Sequence, residues 1–180
     1  MSIIQNNLLT VYHGTISQFD IIDVSQGKPY KDFGRGFYVT ESELHATNLA
    51  LRNKYIEKAR YGRDCDAYLY TYEIDRFKLI DFKVKEFQKA DNEWLEFIIS
   101  NRKVRNRTHN YDIVTGPTAN DDTMVVINAY LDALYGNIGE DAALKTLLRN
   151  IKADKLPAQI YFSNNKATGA LTQKGQVKIL

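Results

Sequence analysis

The sequence predicts an α+β fold: short strands with helices set among them in no regular alternation. Three observations lead there. Short runs rich in β-branched and aromatic residues recur from end to end, as strands do. Longer stretches with apolar residues at helical spacing lie between some of these runs but not between all of them. Finally, no Gly-x-Gly-x-x-Gly opens a helix after a strand, and Gly-x-x-x-x-Gly-Lys-Ser/Thr is absent, so neither a Rossmann sheet nor a P-loop is supported.

In order along the chain, Leu8 to His13 reads as a first strand ending at Gly14, followed by a polar loop with Gly27 and Pro29. Gly36 to Thr40 is a second short strand. Ser42 caps a helix in which Leu44, Leu51, Tyr55 and Ala59 mark a buried stripe, and Tyr61-Gly62 ends it. Ala67 to Ile74 is a strand, with Tyr68, Tyr70 and Tyr72 expected on one face and Leu69 and Ile74 on the other. Leu79 to Phe82 is read as another strand. Asp91 caps a helix running to Val104, with Trp94, Leu95, Ile98 and Ile99 inward. Tyr111 to Thr115 is a strand stopped by Gly116-Pro117. Two helices follow, near Asp121 to Leu134 and Glu140 to Ile151. The tail reads as a strand from Ala158 to Ser163, a helical turn near Ala167 to Leu171, and a strand from Gln176 to Leu180.

The 180 residues suit one domain, 1–180, with a helical insertion near 118–152, and 44% hydrophobic residues suffice for a core. A formal charge of +2 announces no polyanionic partner. The one basic run, Asn101 to Arg107, reads as a solvated helix end or, less favourably, as a phosphate contact. The lone Cys65 can form no intrachain disulfide, which fits a reducing compartment and a cytoplasmic location. Asp64 and Asp66 beside it work against a reactive thiolate. His13, His45 and His109 lack metal-ligand spacing, so no metal is expected. Met1 to Leu9 has no signal-peptide pattern, and no apolar run approaches the ~18 residues of a membrane span, so no membrane partner is expected.

Two segments could carry chemistry. In Asp32-Phe33-Gly34-Arg35-Gly36-Phe37-Tyr38-Val39-Thr40, glycines let the backbone approach a ligand, Arg35 could grip a phosphate, and an aromatic follows on a strand. The same residues also suit a tight hairpin with Phe37 and Tyr38 filling core. In Tyr12-His13-Gly14-Thr15, the histidine can donate to a ribose hydroxyl and the glycine backbone can bond an amide; equally, the histidine could simply close a strand.

Together these segments resemble the ADP-ribosyltransferase superfamily of the diphtheria-toxin and poly-ADP-ribose-polymerase kind. That superfamily carries His-Gly on its first strand, Gly-x-Gly-x-Tyr on its second and a glutamate on a late strand. More closely, the chain resembles the bacterial family catalogued as domain of unknown function 3990. The resemblance rests also on Glu93-Trp94-Leu95-Glu96-Phe97 with Asn101-Arg102, on Asp112 to Asp121, and on Gln159-Ile160-Tyr161-Phe162. It implies a split mixed sheet of ADP-ribosyltransferase type with inserted helices. It also implies NAD as substrate, a mono-ADP-ribosyltransferase activity, and a toxin-like bacterial effector with a macromolecular acceptor and a small antitoxin-like partner. An NAD or ADP-ribose binding module and an NAD hydrolase are the alternatives.

The residue roles follow from the resemblance. His13, Tyr38 and Gln159 would be catalytic; His13, Gly14, Thr15, Arg35, Gly36, Tyr38 and Leu49 would hold NAD. Gly14 would bond the nicotinamide carboxamide through its backbone and Tyr38 would stack on the ring. Leu49 stands where relatives place a second aromatic, eleven residues after the first, and Gln159 where they place the glutamate. The missing carboxylate is sought in Asp121 or Asp122, which suit a helix N-cap equally well.

Overall fold

The computed structural model describes residues 7–119, 121–152 and 155–179; the first six residues, Asn120, Ala153, Asp154 and Leu180 lie outside the described residues. The fold is α+β, with two sheets and helices on their flanks. Strands β1 (Leu8–Thr15), β3 (Ala67–Asp75) and β7 (Leu171–Ile179) form an antiparallel sheet in the order β1-β3-β7. Strands β2 (Phe37–Val39), β4 (Val84–Glu86), β5 (Ile113–Pro117) and β6 (Ala158–Phe162) form a mixed sheet in the order β2-β6-β5-β4. Only β4 and β5 run parallel. Among the described residues the backbones of the two sheets pair at one bridge, where Tyr12 of β1 meets Thr40 just beyond β2.

The mixed sheet is buried on both faces, and side-chain alternation sorts its residues between two cores. Phe37, Val39, Ile113 and Phe162 pack toward the antiparallel sheet, against Val11, Tyr70, Tyr72 and Ile74. Val114 and Tyr161, with Tyr38 partly buried beside them, face the helices α2 (Asn92–Arg102), α3 (Asp121–Leu131) and α4 (Asp141–Asn150). Trp94, Leu95 and Ile98 of α2 and Leu147 of α4 fill that second core. The buried Trp94 indole donates to the Pro117 carbonyl at 2.9 Å, leaving no polar atom stranded there. Helices α3 and α4 occupy the stretch between β5 and β6, and a four-residue helix, α5 (Asn165–Thr168), precedes β7.

Helix α1 (Glu43–Tyr61) is capped as expected: the Ser42 hydroxyl accepts from the His45 amide, and Gly62 closes the helix with φ of 64°. Its buried face differs from the one the spacing suggests. Leu44 is 70% exposed and Tyr55 72%, and the buried residues are Ala46 and Ala50. The reason is distance. A Cβ on Gly14 would sit 1.8 Å from the Ala46 carbonyl oxygen, so β1 and α1 meet backbone to backbone, and only small residues fit between them.

Three further expectations are corrected. Leu79 to Phe82 is not a strand; Arg76–Asp81 forms 3₁₀ turns, capped by Asp75 accepting from the Phe77 amide, and the strand comes later as β4. Ile74 lies with Tyr70 and Tyr72 rather than opposite them, as a period of two requires. Strand β5 runs through Gly116 and Pro117 instead of stopping before them, because Gly116 and Pro117 still pair with Gln159 and Ala158.

Gly36 has no room for a side chain: a Cβ would lie 2.3 Å from the Tyr161 ring and 2.4 Å from the Phe162 carbonyl oxygen. Gly36→Ala should therefore push β2 off β6 and cost about 1–3 kcal/mol, as overpacking does. Gly175 of β7 meets nothing within 4 Å, so Gly175→Ala should stay within about 0.5 kcal/mol of wild type. Paired denaturant midpoints check both; equal effects would refute the close β2–β6 packing.

Candidate functional site

Strands β1 and β2 begin as an antiparallel pair and then part. Tyr12 and Thr40 exchange two backbone hydrogen bonds, Tyr12 N–H to Thr40 O at 2.8 Å and Thr40 N–H to Tyr12 O at 3.0 Å. In a continued ladder the next such pair would be Gly14 with Tyr38. Gly14 makes no such bond to Tyr38. Instead the His13 imidazole crosses the gap, with Nδ1 2.7 Å from the Tyr38 carbonyl oxygen. Alternation turns the Gly14 N–H and C=O to the same side as those of Tyr12, toward the gap. A cleft of about 80 Å³ opens there, lined by Tyr12, His13 and Gly14 of β1, Tyr38, Val39 and Thr40, His45, Ala46 and Leu49 of α1, Thr118, and Gln159 of β6.

The carbonyl can only accept, so His13 Nδ1 carries the proton and Nε2 is left as an acceptor. The ring stacks on Phe37 at 4.4 Å and meets Phe19 edge-on. Burial lowers its pKa from 6.5 to about 4, outweighing the bond to Tyr38, which raises it; the ring is neutral at pH 7. The sequence suggested a histidine that donates to a ligand hydroxyl. The structure corrects this: the donor nitrogen is spent on Tyr38, and the ring lies on the Phe37 side of the sheet.

Tyr38 points the other way, its ring 5.0 Å from that of Tyr161. Its hydroxyl donates to Gly34 O at 2.6 Å and accepts from the Phe33 amide at 3.1 Å. That pins the turn before β2, and burial holds the phenol far from ionising. Leu49, 42% exposed, stands on α1 one turn beyond His45, so both reach the cleft. The His45 pKa is also lowered by burial.

Gln159 is held from behind. Its Nε2 donates to Asp32 Oδ2 at 2.8 Å. Asp32, 5% exposed, also accepts from the Ala119 amide at 2.9 Å and from Arg102 Nε at 2.7 Å, with Arg102 Nη2 2.5 Å from Oδ1. Arg102 Nη2 donates in addition to the Ala119 carbonyl at 2.8 Å. The basic helix end read as solvated is thus anchored in part to a buried carboxylate.

His13, Gly14, Tyr38, Leu49 and Gln159 share the cleft, and Thr15, Arg35, Gly36 and Asp122 do not line it. Thr15 Oγ1 accepts from the Ser17 amide. Arg35 donates to the Ser25 and Gly27 carbonyls, shaping the loop before β2. Gly36 serves the close packing of β2 on β6. Asp122 lines a separate cavity of about 280 Å³ with Lys152 and Lys155; it is the larger of the two but holds none of the β1–β2 gap. Asp121 begins α3, and its side chain is outside the described residues. The carboxylate nearest Gln159 that the structure describes is Asp32. Sequence reasoning gave it no role of its own, nor any to Tyr12, His45 and Thr118. The only signal for His45 was its spacing of four from Leu49, which puts both on one helix face. Among the described residues no three His, Cys, Asp or Glu side chains cluster as metal ligands, and no helix is long and apolar enough to cross a membrane.

The protein is thus defined by an α+β fold whose two sheets part around a small cleft with the Gly14 backbone on one wall. The chain belongs to the family described as "Protein of unknown function (DUF3990)", whose model matches residues 9–172. No curated protein and no solved structure matches it significantly.

The His13 pKa makes a pH prediction. The folded value of about 4 lies below the unfolded 6.5, so between them the unfolded chain binds more protons. The stability is fully present above pH 6.5 and lost as pH falls toward 4, by about 3 kcal/mol from this residue. His13→Asn should be less stable than wild type at pH 7, with a smaller further loss down to pH 4, the difference between the two isolating His13 from His45 and His109. Denaturant melts at several pH values check this; parallel curves would show that His13 is not the source.

Proposed function

We propose that this protein is an NAD-dependent mono-ADP-ribosyltransferase and that the cleft between β1 and β2 holds the nicotinamide end of NAD. The observation that carries the reading is the Gly14 backbone. An N–H and a C=O on one residue, turned into a gap and unmatched by β2, complement a primary carboxamide, which offers one carbonyl and one NH₂. Tyr38 and Leu49 would flank the ring, and Tyr12, His45 and Thr118 would close the walls. A cleft of this size accepts one ring, so the rest of the dinucleotide would lie across its mouth.

The reaction breaks the bond between the ribose C1′ and the nicotinamide nitrogen. The bonding pair leaves with the nicotinamide, C1′ becomes oxocarbenium-like, and a nucleophile on a macromolecular acceptor attacks it. The protein's part is to orient the ribose and to place hydrogen-bond acceptors near the developing positive charge. The split-sheet core of ADP-ribosyltransferase type, the toxin-like bacterial role and a small antitoxin-like partner are what the resemblance of His13-Gly14 and Gly34 to Tyr38 adds. One observation favours a second reading, a module that binds NAD or ADP-ribose without transfer: Gln159, which the resemblance aligns with the superfamily's glutamate, brings a neutral amide to the cleft.

Incubation with NAD labelled on its adenine separates the outcomes. Label on macromolecules is expected; free labelled ADP-ribose would instead mean a hydrolase, and intact bound NAD a module. Leu49 is exposed enough to change without unfolding the chain. Leu49→Tyr should tighten NAD by about two- to tenfold, the worth of one aromatic stacking contact, and Leu49→Lys should weaken it. Calorimetric titration checks this. If neither variant changes the affinity, the nicotinamide does not sit on α1.

A further inference from the structure

We propose that Asp32 is the positioning residue of this cleft: it holds the Gln159 amide by its NH₂ end, so that Gln159 presents a fixed carbonyl acceptor to the ligand. The assignment of amide ends follows from chemistry. A carboxylate accepts only, so the Gln159 atom 2.8 Å from Asp32 Oδ2 must be the nitrogen. The other end, Oε1, makes no hydrogen bond among the described residues, and Gln159 lines the cleft. The ligand group that meets it must therefore be a donor, such as a sugar hydroxyl. Arg102 and the Ala119 amide fill the remaining positions on Asp32 and lock its carboxylate plane. A carboxylate on Nε2 also draws the amide toward its dipolar form, which strengthens Oε1 as an acceptor. The negative charge thus sits one residue behind the cleft wall, reaching the ligand through a neutral amide.

The arrangement runs against a simple expectation, that Gln159→Glu would supply a missing catalytic carboxylate. The carboxyl group introduced by Gln159→Glu would face Asp32 across a hydrogen-bond distance, and two carboxylates that close share a proton. In its protonated form the new side chain copies the glutamine: its O–H donates to Asp32 and its C=O faces the cleft. In its ionised form it does not, and must swing away from Asp32.

The proposal rests on the NAD reading only for its binding probe, so two measurements are paired. The first needs no ligand. In ¹⁵N spectra the Gln159 side-chain amide, identified by its loss in Gln159→Ala, should be shifted downfield and protected from exchange. Asp32→Asn should abolish both features. Should Asp32→Asn fail to fold because Arg102 is left unpaired, Asp32→Asn with Arg102→Gln removes both charges and serves instead. An amide signal unchanged in the folded variant overturns the proposal.

The second measurement is NAD affinity against pH. The other titratable or charged groups around Gln159 and its partner Asp32 are Arg102, Lys31, Tyr12, Tyr38, Tyr161 and the cleft histidines His13 and His45. Wild type carries all of these, so the ratio of Gln159→Glu to wild type is the quantity read. That ratio should be near one at about pH 5 and fall about tenfold by pH 8, the cost of a misdirected or unpaired group. Equal or tighter NAD binding by Gln159→Glu at pH 8 overturns the proposal. Failure of wild type to bind NAD at any pH sinks the proposed function and leaves the spectroscopic test of Asp32 standing.

Discussion

The buried Asp32 carboxylate is the point on which this structure hangs. It lies in the turn before β2 and receives donors from the last turn of α2, from the segment after β5, and from β6. These are distant in sequence, and no other described carboxylate joins as many elements. A carboxylate buried to this degree would be costly without partners. Here both oxygens are engaged, and the Arg102 guanidinium supplies the opposing charge. Removal of either partner strands the other, so the network acts as a unit. Its geometric result is that the turn before β2, the segment after β5 and the Gln159 side chain are set by one group.

A second constraint is the absence of side chains where backbones must meet. Gly14 brings β1 against α1, and Gly36 brings β2 against β6. With β1 drawn to α1 and β2 drawn to β6, the two strands cannot stay paired beyond Tyr12 and Thr40. The parting would strand the Tyr38 carbonyl, and the His13 imidazole occupies it. The histidine is thereby a strut across the opening, and burial keeps it in the neutral form that the strut requires. The geometric consequence is that the Gly14 amide and carbonyl face the gap at the cleft wall.

Much of the fold was legible in the sequence because the signals were local. Ser42 and Asp91 cap their helices through their own side chains, Gly62 ends α1 with a left-handed conformation, and Trp94, Leu95 and Ile98 repeat at helical spacing. One failure was local in cause and one was tertiary. A run such as Leu79 to Phe82 satisfies strand composition, yet Asp75 diverts the chain into 3₁₀ turns by capping Phe77. The α1 stripe failed because large apolar residues were assumed to face inward, whereas the approach of β1 excluded anything larger than alanine.

By itself the sequence determined the α+β class and most element positions, since caps, breakers and periodicity are local properties of the chain; that His13, Gly14, Tyr38, Leu49 and Gln159 belong to one region was only what the resemblance implied. Only the tertiary structure decided what those residues do. It turned the His13 donor onto Tyr38, sent Arg35 to the Ser25 and Gly27 carbonyls, placed Asp122 in another cavity, and brought Asp32 behind Gln159. The physical reason is that hydrogen bonds between groups 8 to 127 residues apart depend on where strands part, loops fold back and helices land. No periodicity or local spacing encodes those distances; they exist only once the cores on both faces of the mixed sheet have packed.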